Sequence, residues 1–196
     1  MNESKLSPLE VNNFASIVVM DLQERLVPSI ANKDVLLESN ALLIKASKLL
    51  NLPVVVTEQV PAKLGRTIPE LLDGITNFHL IEKSTFSALG TASFTEKLKQ
   101  TGSKHLILSG IETPICIYQT ALDSLVAGYS VTVLCDCVGA RRLSDHEQCL
   151  SQLRYQGVDV IPLESFLYRQ LQNADHESFR EISGLIRTRS ETHPSC

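Results

Sequence analysis

The sequence contains no hydrophobic run long enough to span a membrane and no long run of charges of one sign. Its apolar stretches are strand-sized, whereas a membrane helix needs about 20 consecutive apolar residues. The formal net charge is −4, which does not favour a nucleic-acid partner. Residues 1–5 lack the apolar segment of a signal peptide. We therefore expect a cytoplasmic protein that binds neither a membrane nor a nucleic acid.

The cysteines lack the even number and regular spacing of a disulfide framework. There are five, and this pattern is typical of free thiols in a reducing compartment. Cys135, Cys137 and Cys149 also lack the paired spacing and the clear fourth ligand of a zinc site, so we expect no metal. The pattern Cys-x5-Arg from Cys135 to Arg141 resembles a phosphatase phosphate loop, which we weigh as an alternative to an ordinary strand-to-helix loop.

What the sequence does contain is an alternation of short apolar runs with helical periodicity. The runs rich in Val, Ile and Leu predict strands over 15–20, 53–57, 78–81, 105–111, 129–135 and 158–161. Helices are predicted over 35–50, 93–100, 117–127 and 144–155. Strands that are apolar on both faces indicate a parallel sheet covered on both sides. We predict an α/β fold, a three-layer α/β/α sandwich with a parallel, about six-stranded Rossmann-like sheet.

The length of 196 residues suits one domain, which we assign to residues 1–196. We expect residues 1–12 and 188–196 to be frayed tails. No internal repeat divides the chain.

Three chemically distinct side chains fall where predicted strands end. Asp21 follows the first strand, Lys83 the third and Cys116 the fourth. Each has a commoner explanation on its own, because Asp caps turns, Lys is usually a surface charge and a lone Cys is usually a structural core residue. Ligands of open parallel sheets, however, bind at the carboxyl ends of strands near a reversal of strand order. The topology therefore predicts that the three side chains meet.

The local pattern at Cys116 favours a reactive thiol. Thr113 is a plausible N-cap and Pro114 suits the first helical position, which places Cys116 in the first turn of a helix. The helix N-terminus and the Lys83 ammonium would then favour a thiolate, and the N–H groups of the same turn would hold an oxyanion. In this arrangement Cys116 attacks a carbonyl carbon and Asp21 transfers the protons.

Three segments together carry a family resemblance. They are residues 19–23 with the pattern Asp-x-Gln, residues 82–87 and residues 110–116. In this order the chain resembles the isochorismatase-like cysteine hydrolase superfamily over roughly residues 15–162. The resemblance implies a catalytic triad of Asp21, Lys83 and Cys116. It also implies a cis peptide bond between Glu112 and Thr113, beside the N–H groups expected to form the oxyanion hole.

Residues 57–61 and 65–71 resemble more closely the group called isochorismatase domain-containing proteins. The related nicotinamidases carry an Asp-x-His metal motif after the second strand, whereas this chain has Glu58-Gln59-Val60 there. The departure argues against a metal and against a nicotinamidase assignment, and we expect no cofactor. The substrate-pocket candidates are Gln23, Glu58, Gln59, Phe86 and Tyr118.

These observations predict a metal-independent cysteine hydrolase that acts on a small amide or related C–N bond through a thioester-type acyl-enzyme. The expected partners are a small-molecule substrate and further copies of the chain in a homo-oligomer. Two alternatives stay open. One is a vinyl-ether hydrolase of the isochorismatase type, which would not need Cys116. The other is a non-enzymatic or redox-responsive interaction protein on the same fold.

Overall fold

Six parallel strands form a single sheet in a computed structural model that describes residues 14–73, 75 and 78–192. The strands are β1 (Ala15–Met20), β2 (Val54–Gln59), β3 (Phe78–Lys83), β4 (His105–Ile111), β5 (Ser130–Gly139) and β6 (Asp159–Ile161). Their order across the sheet is β3-β2-β1-β4-β5-β6, with parallel pairing throughout. The predicted α/β sandwich with a six-stranded Rossmann-like sheet is confirmed.

Helices cover both faces of this sheet. They are α1 (Lys33–Leu49), α2 (Pro61–Leu64), α3 (Pro69–Leu72), α4 (Ala92–Gln100), α5 (Tyr118–Val126), α6 (Leu143–Tyr155), α7 (Leu163–Leu171) and α8 (Phe179–Thr192). Side chains of α1, α7 and α8 pack into one apolar core, and those of α4, α5 and α6 pack into the other. Two 3-10 turns (Val27–Ser29 and Ala88–Gly90) and a π turn (Thr113–Ile117) complete the described elements.

Strand β1 shows why the sheet lies between two cores. Ile17 and Val19 belong to the core under α1, whereas Val18 and Met20 belong to the opposite core. Successive side chains of a strand point to opposite faces, so a strand buried on both sides must be apolar at nearly every position. All six residues of β1 are buried.

The structure differs from the predicted elements mainly near the C-terminus. Helices α7 and α8 were not predicted, and α8 continues through Thr192, so the expected frayed tail is wrong for residues 188–192. An ion pair of 2.8 Å between Arg189 and Asp136 of β5 helps to hold this helix, and Ile182 and Ile186 pack into the core. The tails predicted for residues 1–12 and 193–196 lie outside the described residues.

Strand β3 runs to Lys83, two residues beyond the predicted end. Glu82 and Lys83 are polar, but they continue the backbone ladder opposite Glu58 and Gln59 of β2.

Within the described ranges, no helix combines the length and the apolar content that crossing a membrane requires.

Candidate active site

The strand order reverses between β1 and β4. The predicted site residues lie beside this point, at the carboxyl ends of the strands. Gly110 in β4 makes the close approach of the two strands possible. Its φ is +104°, and a Cβ at this position would overlap the backbone of Met20. Glycine adopts this conformation without steric cost. The end of β4, which leads to Cys116, therefore lies directly against the end of β1, which leads to Asp21.

Asp21 is held in place from two neighbouring strands. Its backbone N–H donates to the Thr57 carbonyl of β2 at 3.0 Å, and the residue has a left-handed φ of +56°. The Thr57 hydroxyl donates to Asp21 Oδ1 at 2.7 Å, and Lys83 Nζ donates to Asp21 Oδ2 at 2.7 Å. Both carboxylate oxygens thus have a partner in a setting where only 1% of the Asp21 surface is exposed.

The Lys83 ammonium lies between Asp21 and Cys116. Besides the Asp21 contact, Nζ donates to Gln59 Oε1 at 2.6 Å and lies 3.6 Å from Cys116 Sγ. Weaker contacts of 3.3 and 3.4 Å run to the carbonyls of Thr85 and Phe86. The Asp21–Lys83 pair is almost completely removed from solvent. The structure therefore brings together all three side chains of the predicted triad.

Cys116 lies in a π turn that precedes helix α5. The backbone N–H groups of Ile115 and Ile117 both donate to the Glu112 carbonyl, at 3.0 and 3.2 Å. The predicted N-cap role of Thr113 is wrong, because Glu112 occupies the cap position and no side-chain cap bond forms. Pro114 lies within the π turn, one residue after its start.

The Thr113 hydroxyl bonds to groups outside the π turn. It donates to the Gly139 carbonyl of β5 at 3.0 Å and lies 2.9 Å from Nδ1 of His146 in α6. Because the hydroxyl has one proton, which Gly139 accepts, His146 Nδ1 must donate to Thr113. The turn that carries Cys116 is thus fastened to both β5 and α6.

The cis peptide bond lies between Ile111 and Glu112, so its predicted position between Glu112 and Thr113 is wrong by one residue. Neither bond precedes a proline, since Pro114 comes later in the turn. A cis bond outside X–Pro leaves no mark in the sequence, which is why its position could not be read from the residues.

The predicted resting thiolate is also wrong. Burial raises the pKa of the Cys116 thiol to about 12, the Asp21 carboxylate adds to the rise, and the Lys83 ammonium only partly opposes it. Burial likewise raises the pKa of Asp21, and the charge and hydrogen bond of Lys83 do not cancel the effect. At neutral pH the Cys116 sulfur therefore keeps its proton.

Two of the five pocket candidates lie behind Lys83. Gln59 accepts from Lys83 through its side-chain oxygen and donates to the Ser84 carbonyl at 2.8 Å. Gln23 is completely buried, and its side chain bonds to backbone groups, including the Gln59 N–H at 2.7 Å and the Gly65 carbonyl at 2.6 Å. Both glutamine side chains thus have hydrogen-bond partners within the protein.

Glu58 faces away from Cys116. Its carboxylate accepts from the Thr67 N–H at 2.7 Å, from the Thr67 hydroxyl at 2.9 Å and from Arg66 at 2.8 Å. Burial alone would raise its pKa, but the bonds from Thr67 and Arg66 outweigh burial and lower it. Neighbouring residues of a strand point to opposite faces, so Glu58 holds the loop at Thr67 while Gln59 reaches Lys83. The structure thus does not bring Glu58 to the triad.

Each of the two aromatic candidates closely follows a triad residue in the chain, Phe86 after Lys83 and Tyr118 after Cys116. The Phe86 carbonyl approaches Lys83, and 53% of the Phe86 surface is exposed. Tyr118 begins α5 and packs, partly buried, against the core that contains Cys116.

The competing cysteine signals do not form sites. Cys135 and Cys137 lie inside strand β5, not in a loop that wraps a phosphate, and Arg141 binds Glu112 at 3.0 Å. The phosphatase alternative is therefore wrong. In the part of the chain that the structure describes, the cysteines are free thiols and no three His, Cys, Asp or Glu side chains form a group suited to a metal ion.

Comparison with known proteins agrees with this geometry. A family model described as the isochorismatase domain matches residues 15–165. The chain belongs to the isochorismatase family. Its family relatives include the zebrafish (Danio rerio) isochorismatase domain-containing protein 2, which is 36% identical over 180 residues, covering 91% of this chain and 87% of the relative.

Two solved structures show how far the likeness to this isochorismatase-family chain extends. A MAR1 ribonuclease from Caenorhabditis elegans superposes with a TM-score of 0.85 at 30% identity, covering 94% of this chain and 93% of that one. The Escherichia coli YcaC gene product, an octameric hydrolase of unknown specificity, has a TM-score of 0.80 at 19% identity, covering 98% of this chain and 99% of that one. At that identity the second comparison shows a shared fold alone.

Sequence reasoning missed three residues that shape this isochorismatase-family site. Thr57 supports Asp21, Gly110 admits the close strand approach, and His146 holds Thr113. Thr57 is the polar end of an apolar strand and Gly110 interrupts one, so both carry a weak signal in the sequence. His146 carries none, because nothing in a helical pattern shows which residue of another element it contacts.

Proposed function

We propose that this isochorismatase-family protein is a cysteine hydrolase that cleaves a small amide or related C–N bond with Asp21, Lys83 and Cys116. The observation that carries the proposal is the buried Lys83 ammonium, 2.7 Å from Asp21 Oδ2 and 3.6 Å from Cys116 Sγ. A thiol, a base and a cation in contact are the parts that nucleophilic catalysis requires. The limited access to Cys116, of which only 6% is exposed, favours a small substrate.

The first half of the reaction forms a thioester. Asp21 takes the proton from the Cys116 thiol as the sulfur attacks the substrate carbonyl carbon. The C–N bond then breaks, and Asp21 returns the proton to the leaving nitrogen. The raised pKa of Asp21 suits a group that must both accept and donate this proton. Lys83 stabilises the negative charge that develops on the sulfur as the thiol loses its proton.

The second half releases the acid. Asp21 takes a proton from water, the hydroxide attacks the thioester, and the C–S bond breaks. Asp21 then returns the proton to the Cys116 sulfur, which restores the thiol. The N–H groups of Thr113 and Cys116 are the candidates for holding the oxyanion, because Pro114 has no N–H and those of Ile115 and Ile117 already bind Glu112. Loss of one such donor typically costs about 3 kcal/mol of barrier.

The proposed reaction uses neither a metal nor a cofactor. In support, the two side chains that replace the metal motif already have partners within the protein. Glu58 binds Thr67 and Arg66. Gln59 binds Lys83 and Ser84. We accordingly expect turnover to survive treatment with EDTA unchanged.

One observation favours a second candidate, the vinyl-ether hydrolase. Burial raises the pKa of the Asp21 carboxyl. Such a group is suited to protonate the carbon–carbon double bond of a vinyl ether without help from a thiol. We rank it second because it leaves the contact between Lys83 and Cys116 without a use. A ribonuclease activity, suggested by the name of the nematode neighbour, is disfavoured by the net charge of −4.

The test is turnover of a panel of small primary amides, followed through ammonia release. The variant Cys116→Ala should lose activity by about a thousandfold or more while its unfolding stays nearly unchanged. Cys149→Ala, which removes a half-buried thiol from α6, serves as the matched control and should keep full activity. Undiminished amide turnover in Cys116→Ala would refute the nucleophile, and vinyl-ether cleavage by that variant would favour the second candidate.

We also propose that the protein is a homo-oligomer in a reducing, cytoplasmic environment. The octameric YcaC neighbour supports the first part and the free thiols support the second. Sedimentation velocity of the purified protein should give a mass that is a multiple of 21.6 kDa. A single monomeric species at micromolar concentration would contradict this proposal.

A further inference from the structure

The Lys83 ammonium has three protons, and the structure gives them unequal partners. Two acceptors are close, Asp21 Oδ2 at 2.7 Å and Gln59 Oε1 at 2.6 Å. The remaining contacts, at 3.3, 3.4 and 3.6 Å, run to two backbone carbonyls and to Cys116 Sγ. Because the three N–H bonds of an ammonium have a fixed tetrahedral arrangement, two strong bonds determine the direction of the third. The third proton is therefore the one left for the sulfur and the two carbonyls.

The Gln59 side chain cannot turn to offer its other end. Its Nε2 donates to the Ser84 carbonyl at 2.8 Å, which leaves Oε1 as the atom that faces Lys83. Gln23 fixes the backbone of Gln59 from both sides, accepting from its N–H at 2.7 Å and donating to its carbonyl at 3.1 Å. Both glutamines are buried. The amide is therefore fixed in orientation as well as in position.

We propose that Gln59 is a positioning residue that aims the third N–H of Lys83 at Cys116, and that its neutral amide is required for this role. The inference rests on the proposed function, since it assigns Lys83 the task of stabilising the sulfur anion. Gln59 acts through Lys83, supplying an acceptor without supplying a second negative charge.

A carboxylate at position 59 would fail in two ways. Its charge would compete with Asp21 for Lys83 and would oppose formation of an anion on Cys116. Its second oxygen would also face the Ser84 carbonyl with no proton to donate. A protonated glutamic acid, in contrast, has the shape of glutamine, with an O–H for Ser84 and a carbonyl oxygen for Lys83.

Lys83, at the end of β3, is the titratable group that contacts Gln59. Asp21, just after β1, and Cys116, in the π turn after β4, contact Lys83 in turn. The neighbouring carboxylates Glu58 and Glu82 pair with Arg66 instead. Asp21 titrates in the wild type and in each variant, so the ratio of a variant to the wild type at each pH isolates the effect of position 59.

The experiment measures alkylation of Cys116 by iodoacetamide, followed on its peptide by mass spectrometry from about pH 5 to about pH 9. Gln59→Met should slow alkylation about tenfold at every pH, because Lys83 loses its neutral acceptor. Gln59→Glu should be slowed at least as much near pH 9. Its rate should approach that of the wild type as the pH falls and the introduced carboxylate becomes protonated. A purely structural role for Gln59 would not produce this pH-dependent recovery.

The matched control is Glu58→Gln, which changes a buried carboxylate on the opposite face of the same strand. Its ratio to the wild type should not vary with pH over the range in which it stays folded. A flat ratio for Gln59→Glu, or a wild-type rate for Gln59→Met, would overturn the inference. Because alkylation needs no substrate, this failure is distinguishable from amide turnover that survives Cys116→Ala.

Thermal unfolding of each variant checks that it folds. If Gln59→Glu does not fold, Gln23→Met takes its place, because it releases the Gln59 backbone without adding a charge. Slower alkylation of Cys116 in Gln23→Met supports the inference, and an unchanged rate overturns it.

Discussion

At Cys116, contact with a cation does not suffice to ionise the thiol. The Lys83 ammonium is already paired with Asp21 at 2.7 Å, so the sulfur meets a pair whose charges largely offset each other. Removal of the sulfur from water then decides the balance, because a buried anion is costly unless it is well compensated. The resting site consequently keeps this proton on the Cys116 sulfur, and in the proposed mechanism Asp21 accepts it.

This protonation state predicts a slow reaction with alkylating reagents. Near pH 7 iodoacetamide should label Cys116 more slowly than it labels glutathione, an ordinary exposed thiol with a pKa of about 9. The rate should keep rising with pH beyond that value, because the pKa of Cys116 is raised to about 12. A labelling rate that levels off below about pH 8 would show instead that Cys116 is a thiolate at rest.

The positions of the triad could be predicted from the sequence, but its protonation could not. Asp21, Lys83 and Cys116 each lie at or after the end of a strand, and parallel strands carry their ends to one edge. The pKa of Cys116 depends on how completely other elements cover it and on whether Lys83 is already paired. Neither quantity appears in a local pattern, which shows only the turn and its dipole.

Among the elements, the π turn Thr113–Ile117 is the one that positions the Cys116 sulfur. It is fastened through one hydroxyl, since Thr113 bonds to Gly139 of β5 and to His146 of α6. Thr113 is completely buried, so losing the hydroxyl would leave a carbonyl and an imidazole N–H without partners. Unpaired buried polar groups are costly.

Replacing Thr113 with the nearly isosteric Val should lower the free energy of unfolding by about 1–3 kcal/mol. Turnover that depends on Cys116 should fall as well, because the turn loses its link to α6. Thr95→Val is the control, since Thr95 is half-buried and its hydroxyl bonds within α4, to the Ala92 carbonyl at 2.9 Å. Urea denaturation measures both variants, and equal losses of stability would contradict the role assigned to Thr113.

Helices and strands could be predicted where apolar periodicity was strong. Prediction failed where tertiary contacts decide whether a segment is ordered or which partner a side chain binds. Strands β1 and β4 are largely apolar runs, and the sequence locates both. Helix α8 has a polar C-terminal half that resembles a tail, and its ion pair between Arg189 and Asp136 involves residues far apart in the chain. Thr113 has the local pattern of a helix cap, because such a pattern cannot show that β5 and α6 offer its hydroxyl better partners.

Across the whole molecule, a second polar network, which is only partly buried, lies at the end of the sheet opposite the triad. His105, the first residue of β4, contacts the Thr132 hydroxyl at 2.8 Å, and Arg169 binds Asp159 of β6 at 2.6 Å. Burial lowers the pKa of His105 to about 4, and the charge of Arg169 adds to this, against the opposing effect of Asp159. The folded protein therefore holds His105 neutral.

This network predicts a loss of stability in acid. The unfolded chain binds the His105 proton below about pH 6.5 and the folded protein only near pH 4, so stability falls as the pH drops through that window. The contribution of His105 amounts to at most about 3 kcal/mol. His105→Gln keeps a donor for Thr132 and should flatten the dependence, whereas His79→Gln, at an exposed histidine, should not. Parallel losses in the wild type and His105→Gln would rule out this origin.

The proposed thioester on Cys116 can be detected through the products of amide turnover in the presence of hydroxylamine. Hydroxylamine competes with water for a thioester, so hydroxamate should replace free acid in proportion to the hydroxylamine added. Cys116→Ala should form neither product above background. Free acid as the sole product of the wild-type protein, at every hydroxylamine concentration, would contradict the acyl-enzyme.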